Sequence, residues 1–326
     1  MNSHIYKTFL AGWCAETIGA RLEFQKRQFS YPEVIDAIFM LGENSTGTYP
    51  GQVTDDSEME IALLSGLIEG AKEEYFPLEI IAKKYIEWYK TNPFDIGQTT
   101  TYALLGSNNA TDILTNAYET NMDSESNGSL MRCIPIAIFG INKEPEMVMN
   151  MASLESELTH PNKIVGEITG IYCVIISRIL QCKIYNKPIQ INEIVNLISS
   201  LITKKAVLKW FKIGYELTNL DKYDCVLNEG HVKHAFIFVI YFLRNIEKYN
   251  YIRAISEVIK HGGDTDTNAK IVGNLFGAYY DDCVPKYLSD LVLNFDCTKV
   301  EDKFFKRPYS CSVKYAIELL ELIIIK

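Results

Sequence analysis

The chain has 326 residues, of which 48 % are hydrophobic and 22 % charged. These ordinary globular values exclude a disordered chain, a collagen-like chain and a small disulfide scaffold. A formal net charge of -9, with no run of Lys or Arg, argues against nucleic acid as a partner, because that needs a basic footprint.

In chain order the pattern is helix after helix. Residues 4–20 are apolar with small residues between, and 31–40 read as a short helix. Residues 42–54 are rich in Gly, Ser, Thr and Pro and give the strongest loop signal. From Asp56 to Glu69 apolar residues cover most of a helix surface, which predicts burial nearly all round. Helical spacing continues over 78–90 until Asn92-Pro93 stops it. Short helices are expected at 97–105 and 111–120, then a polar loop to Ser129 and an apolar stretch to Phe139. Further helices are expected at 145–158, 163–182, 191–202, 205–217, 231–247, 251–260, 265–280, 286–293 and 312–325.

Gly166 and Gly170 lie four apart on one expected helix, as do Gly273 and Gly277 on another, a spacing that lets helix axes approach closely. No strand alternation, heptad, repeat or linker is present, so the expectation is all-α: one compact orthogonal helix bundle over 1–326. No apolar run reaches the about 18 residues of a membrane span. With no signal-peptide core at Met1–Lys7, a cytoplasmic protein without a membrane partner is expected. The eight cysteines form no CxxC pair or zinc spacing and read as reduced structural thiols.

Two segments place paired acids at the start of an apolar helix: Thr54-Asp55-Asp56 and Asp264-Thr265-Asp266-Thr267. The plainer reading is helix capping, which Thr and Asp favour. Capping explains one acid per helix better than two. Carboxylate and hydroxyl oxygens are hard ligands suited to Mg²⁺, Mn²⁺ or Ca²⁺. If the two helix starts meet, four carboxylates converge and two divalent ions would balance them. Three further segments read as loops or helix ends in isolation: GARLEF (19–24), SNGSLMRCIP (126–135) and LTHP (158–161).

Together, GARLEF (19–24), GQVTDDSEME (51–60), SNGSLMRCIP (126–135), LTHP (158–161) and GGDTDTNAKIVGNLFGAYY (262–280) resemble the ADP-ribosylglycohydrolase family, with DIGQTT (95–100) a weaker match. The resemblance spans about residues 8–282. It implies a hydrolase that removes ADP-ribose from a modified protein side chain, or from a small molecule, by cleaving the glycosidic bond at ribose C1″. It also implies two Mg²⁺ ions (Mn²⁺ is an alternative) in a central binuclear site, held by Thr54, Asp55, Asp56, Asp264, Asp266 and Thr267. Glu23 or Asp56 would handle the proton, and Asn127, Gly128, Ser129 and His160 would approach the substrate. A monomer is the default. The alternatives are a non-catalytic ADP-ribose-binding or structural protein on the same fold, or a metal-dependent hydrolase of free ADP-ribosyl metabolites. The chain departs from the family at Glu16, where GDALG has Asp, at Ser126, where GNG has Gly, and at Pro161, directly after His160.

Overall fold

The computed structural model describes residues 2–42 and 44–323. Among these residues there are sixteen α-helices and no sheet; an isolated antiparallel bridge joins Ser126 to His231. The first half comprises α1 (Ser3–Gly19), α2 (Tyr31–Ile38), α3 (Asp55–Glu69), α4 (Leu78–Tyr89), α5 (Gln98–Leu104), α6 (Ala110–Thr120), α7 (Ile134–Phe139) and α8 (Pro145–Glu157). The second comprises α9 (Lys163–Ile184), α10 (Ile191–Leu201), α11 (Lys205–Glu216), α12 (Val232–Arg244), α13 (Tyr251–Lys260), α14 (Thr265–Tyr279), α15 (Lys286–Asn294) and α16 (Val313–Glu321).

The helices fall where the apolar spacing predicts them. The exception in length is α16, which ends at Glu321; residues 324 and 325 of its expected span lie outside the described residues. Local chemistry starts many of them. Asn2, Asn109, Asn162, Asn250 and Ser312 each accept a hydrogen bond from a backbone N–H in the first turn of the following helix.

Two antiparallel pairs organise the core, and glycine makes both possible. Along α1 and α14, a Cβ at Gly19 would sit 2.3 Å from the Thr265 carbonyl oxygen, and one at Gly277 would sit 2.6 Å from that of Lys7. Along α8 and α9, a Cβ at Gly170 would meet Met149 Sδ at 2.7 Å. Between α1 and α14 glycine therefore marks backbone approaches that no larger residue permits, while between α8 and α9 the tightest approach is to a side chain. The α1–α14 pair matters for function because it brings the end of α1 against the start of α14. Thr265 Oγ1 ties the two by donating to the Gly19 carbonyl at 2.7 Å.

One sequence expectation needs correction. The helix α9 is long and apolar enough, by length and composition alone, to cross a membrane. The expectation that no run reaches this length overlooked how weakly Glu167 and Arg178 interrupt it. In the fold, 78 % of its most apolar window is buried. Ile168, Ile171, Val174, Ile175 and Ile179 are fully buried. Burial of each such side chain contributes about 1.5–3 kcal/mol, which accounts for its composition as a central core helix.

Candidate metal centre

The two acid-bearing helices, α3 and α14, lack the side-chain caps seen elsewhere. Neither Thr54 nor Asp264 bonds a first-turn N–H of its own helix through its side chain. The N-cap reading thus fails for Thr54 and Asp264, although in the first turn of α14 Asp266 Oδ1 accepts from Thr267 N at 2.8 Å. For α3 the cap comes from another helix. Glu16 of α1 accepts from Thr54 N at 2.6 Å, Thr54 Oγ1 at 3.0 Å, Ser57 N at 3.4 Å, and the Ser57 hydroxyl. Lys270 of α14 closes the arrangement, reaching Glu16 at 3.1 Å and Glu60 at 3.4 Å, all with side chains 0 % exposed. With its cap supplied from outside, α3 leaves Asp55 and Asp56 for other work.

Those acids line a cleft of about 300 Å³ together with Glu23, Asp95, Asp264, Asp266 and Thr267. Thr267 Oγ1 donates to Asp56 Oδ1 at 3.1 Å, and Asn127 Nδ2 donates to Asp264 Oδ2 at 2.7 Å. The opposite oxygens, Asp56 Oδ2 and Asp264 Oδ1, are buried with no hydrogen-bond partner. Carboxylate oxygens of Glu23, Asp95 and Asp266 lie within 4.8 Å of one another. Burial, then repulsion from the neighbouring carboxylates, pushes Asp55, Asp266 and Glu23 well above the usual carboxylate range. Asp56 moves the same way, through burial and then Glu16. Burial and Asp264 push Asp95 up to about 6. Like charges this close cannot all ionise without compensation.

The donor set fits hard divalent cations. It is all oxygen, it holds orphaned buried acceptors, and it carries several negative charges. Not every expected ligand faces it equally. Thr54 is fully buried, and its hydroxyl donates to Glu16. Asp95 is a residue that sequence reasoning passed over; it belongs to the weakly matching DIGQTT segment, and no local pattern marks it as a partner of Glu23.

The cleft's far wall is neutral. Asn127, Gly128 and His160 line it, with Thr99, Thr100 and Ser126. Ser129 lies behind this wall, its hydroxyl bonded to Thr169 at 3.0 Å and Ser156 at 2.9 Å. His160 is held at both ring nitrogens by a chain of hydrogen bonds. Arg132 Nη2, which can only donate, gives a hydrogen bond to Thr159 Oγ1 at 2.8 Å. Thr159 Oγ1 and His160 Nδ1 are hydrogen-bonded at 2.7 Å, and His160 Nε2 and Ser126 Oγ at 2.8 Å. Burial and Arg132 lower the His160 pKa well below the ordinary value, keeping the ring neutral. Despite Pro161, the imidazole reaches the wall; a Cβ at Gly128 would lie 2.8 Å from its Cε1, so the loop rests flat on the ring.

The near lip is the loop after α1. Phe24 N donates to the Gly263 carbonyl at 3.1 Å, tying the Glu23 turn to the start of α14. Gly262 and Gly263 hold φ of +74° and +76°, where a Cβ would strike the Arg27 and Cys225 carbonyls. Glycine is required at both positions.

The sequence profile of the ADP-ribosylglycohydrolases matches residues 2–311. The chain belongs to the ADP-ribosylglycohydrolase family. This is a family of glycosidic-bond hydrolases. Among its relatives, a protein of Acanthamoeba polyphaga mimivirus provisionally named ADP-ribosyl glycohydrolase L543 is 30 % identical, covering 89 % of this chain and 91 % of its own. The ADP-ribosyl-dinitrogen reductase glycohydrolase of Rhodospirillum rubrum is 24 % identical over 87 % of this chain and 88 % of its own. ADP-ribosylhydrolase ARH3 of Gallus gallus is 27 % identical over 70 % of each. A solved structure described as an ADP-ribosylglycohydrolase-related protein complex superposes with a TM-score of 0.68 at 18 % identity. It covers 89 % of this chain and 96 % of its own, and shares the ADP-ribosylglycohydrolase fold.

Proposed function

We propose that the protein hydrolyses the glycosidic bond between ribose C1″ of an ADP-ribosyl group and an acceptor on a modified protein, with a divalent-cation pair, Mg²⁺ or Mn²⁺, as cofactor. The observation that carries this reading is the convergence of six carboxylates, from four chain segments, on one cleft wall. Asp55, Asp56, Asp264, Asp266 and Thr267 would hold the cations. Thr54 joins them only if its hydroxyl offers a lone pair while still donating to Glu16. When bound, such ions hold sugar oxygens and lower the pKa of a coordinated water.

The chain's own residues supply the rest. Glycosidic cleavage passes through an oxocarbenium-like state and needs proton transfer at the departing atom or at the attacking water. Glu23 stands at the lip of the cleft beside Asp95 and Asp266, with a carboxyl that burial keeps protonated more readily than usual. It suits the proton-carrying role. Asp56, deeper and hydrogen-bonded to Thr267, is held for orientation or for taking the water proton. Asn127 holds Asp264 with its amide and bonds the Gly230 carbonyl through its backbone N–H at 3.0 Å, so its loop stays fixed beside the reacting sugar. The neutral wall of Gly128, Thr99 and Ser126 offers hydroxyls and a flat backbone to the remainder of ADP-ribose.

The test is release of ADP-ribose from an arginine-linked and a serine-linked protein substrate, each with Mg²⁺ and with EDTA. Mg²⁺-dependent release from either supports the reading and names the linkage. Retained ADP-ribose binding without release from either would replace it with a binding role.

A further inference from the structure

The acidic cluster draws one member, Asp95, from the loop between α4 and α5, and this loop is held by a segment that lies beyond the shared motifs. Arg307 is 3 % exposed and sits between α3 and that loop. Its Nε donates to Glu58 at 2.8 Å, and its Nη2 to Glu58 at 2.8 Å and to Thr91 Oγ1. Its Nη1 donates to the carbonyls of Thr91 at 3.0 Å and Asn92 at 3.2 Å. All five N–H donors of the guanidinium are therefore committed. Glu58, in the first turn of α3, also accepts from Trp88 Nε1 at 2.7 Å. Just past Asn92, which turns at φ +53°, the Phe94 ring packs on Phe305 at 5.2 Å and Phe304 at 6.3 Å. Asp95 follows directly.

We infer that residues 304–307 act as a strap that positions Asp95: Arg307 locks the start of its loop to the first turn of α3, and Phe305 seats Phe94. Arg307 is a positioning residue and touches neither substrate nor cation. The inference rests on the cation-site reading. Simple neutralisation of Glu58 would need only a positive charge, whereas the strap needs the planar fork that reaches two carbonyls as well.

The experiment is direct Mn²⁺ titration by calorimetry, alongside thermal denaturation. The proteins are the full chain, Asp264→Asn, Asp95→Asn, Arg307→Lys, Phe94→Ala, and the last two each combined with Asp95→Asn. Asp95→Asn and Arg307→Lys should each weaken Mn²⁺ binding about tenfold, the size of an outer-shell loss. Combined, they should weaken it no further than either alone, because one acts through the other. Phe94→Ala, at the part-exposed edge, should show a smaller and equally non-additive loss, and it serves if Arg307→Lys does not fold. Additive losses, or a lowered melting temperature with unchanged Mn²⁺ affinity, overturn the strap while leaving the cation site standing. Unchanged Mn²⁺ affinity in Asp264→Asn overturns the cation site, and the strap with it.

Discussion

Of two layers of carboxylates, an upper one lining the cleft and a lower one buried outside it, only the lower is matched by basic side chains. In the lower layer each acid has a basic partner. Glu16 and Glu60 share Lys270, Glu58 has Arg307, and Glu155 meets Arg132 at 2.7 Å. In the upper layer Glu23, Asp55, Asp56, Asp95, Asp264 and Asp266 enter no ion pair with Lys or Arg among the described residues. Residue type separates the layers only in part, since the lower is all Glu while the upper is five Asp and Glu23. Partnership separates them completely. A buried carboxylate that the fold neutralises is structural, while a set left un-neutralised strains the fold until something from outside compensates it.

The largest effect that would sharpen this contrast is expected at Glu23. Glu23→Gln should slow ADP-ribose release about 10²–10⁴-fold, the range for a lost proton-transfer group. Mn²⁺ affinity should stay nearly unchanged if Glu23 only carries the proton. Because its oxygen lies within 4.8 Å of those of Asp95 and Asp266, the same titration shows whether it is also a ligand. Loss of all Mn²⁺ binding would move Glu23 from proton carrier to ligand.

Breaking the lower layer should act on stability. Lys270→Met leaves Glu16 and Glu60 buried without their cation, a change that costs about 3–5 kcal/mol. Thermal denaturation of the cation-free protein should register it as the largest melting-temperature loss of any variant named here. Pairing it with Glu16→Gln should recover part of the loss, since the neutral amide removes one of the stranded charges. If instead the paired variant is worse than Lys270→Met, the Glu16 carboxylate is indispensable as the cap of α3. A smaller loss is expected from Gly277→Ala, whose Cβ would press on the Ala11 Cβ and the Lys7 carbonyl, both at 2.6 Å. Such overpacking costs about 1–3 kcal/mol. A neutral result there would mean that α1 and α14 can slide apart without loosening the site.

Much of this was legible beforehand, and the limits have physical reasons. Helix positions followed from 3.6-residue periodicity, a local property. The two acid-bearing helix starts were legible because two acids exceed what one cap needs. The Glu16–Lys270 link was not legible, since the two residues are far apart in sequence and no local pattern pairs them. Asp95 was missed for the same reason: its meaning comes from Glu23 and Asp266, which reach it from distant segments. Ser129 shows the opposite failure. Its neighbours in the SNGS turn face the cleft, but the chain is already turning toward α7, and its hydroxyl is drawn into the Thr169–Ser156 cluster.

The finest distinction between the layers is how far their response to pH depends on a bound cation. Burial and Asp264 raise Asp95 to about 6 from its ordinary 3.8, and Asp55, Asp56, Asp266 and Glu23 move in the same direction. Without cations, folded Asp95 holds a proton between pH about 4 and 6 that the unfolded chain has already released, and the other four carboxyls act in the same direction. Stability from Asp95 is complete below that window and is lost as pH rises through it. Glu60 of the lower layer, raised to about 7 by burial, loses stability over an overlapping range, and His234, lowered to about 4 by burial, gains it as pH rises, so only the difference between cation-free and cation-bound protein belongs to the upper layer. The melting-temperature gap between excess Mg²⁺ and EDTA should therefore widen by a few degrees as pH rises through about 6, because a bound cation takes the place of the protons and its stabilisation grows with pH. In Asp264→Asn the difference between the two conditions should shrink. Superimposable curves with EDTA and Mg²⁺ in the unaltered protein would mean that the unpaired layer stays protonated and binds no cation, so that its lack of partners reflects only a tolerated defect.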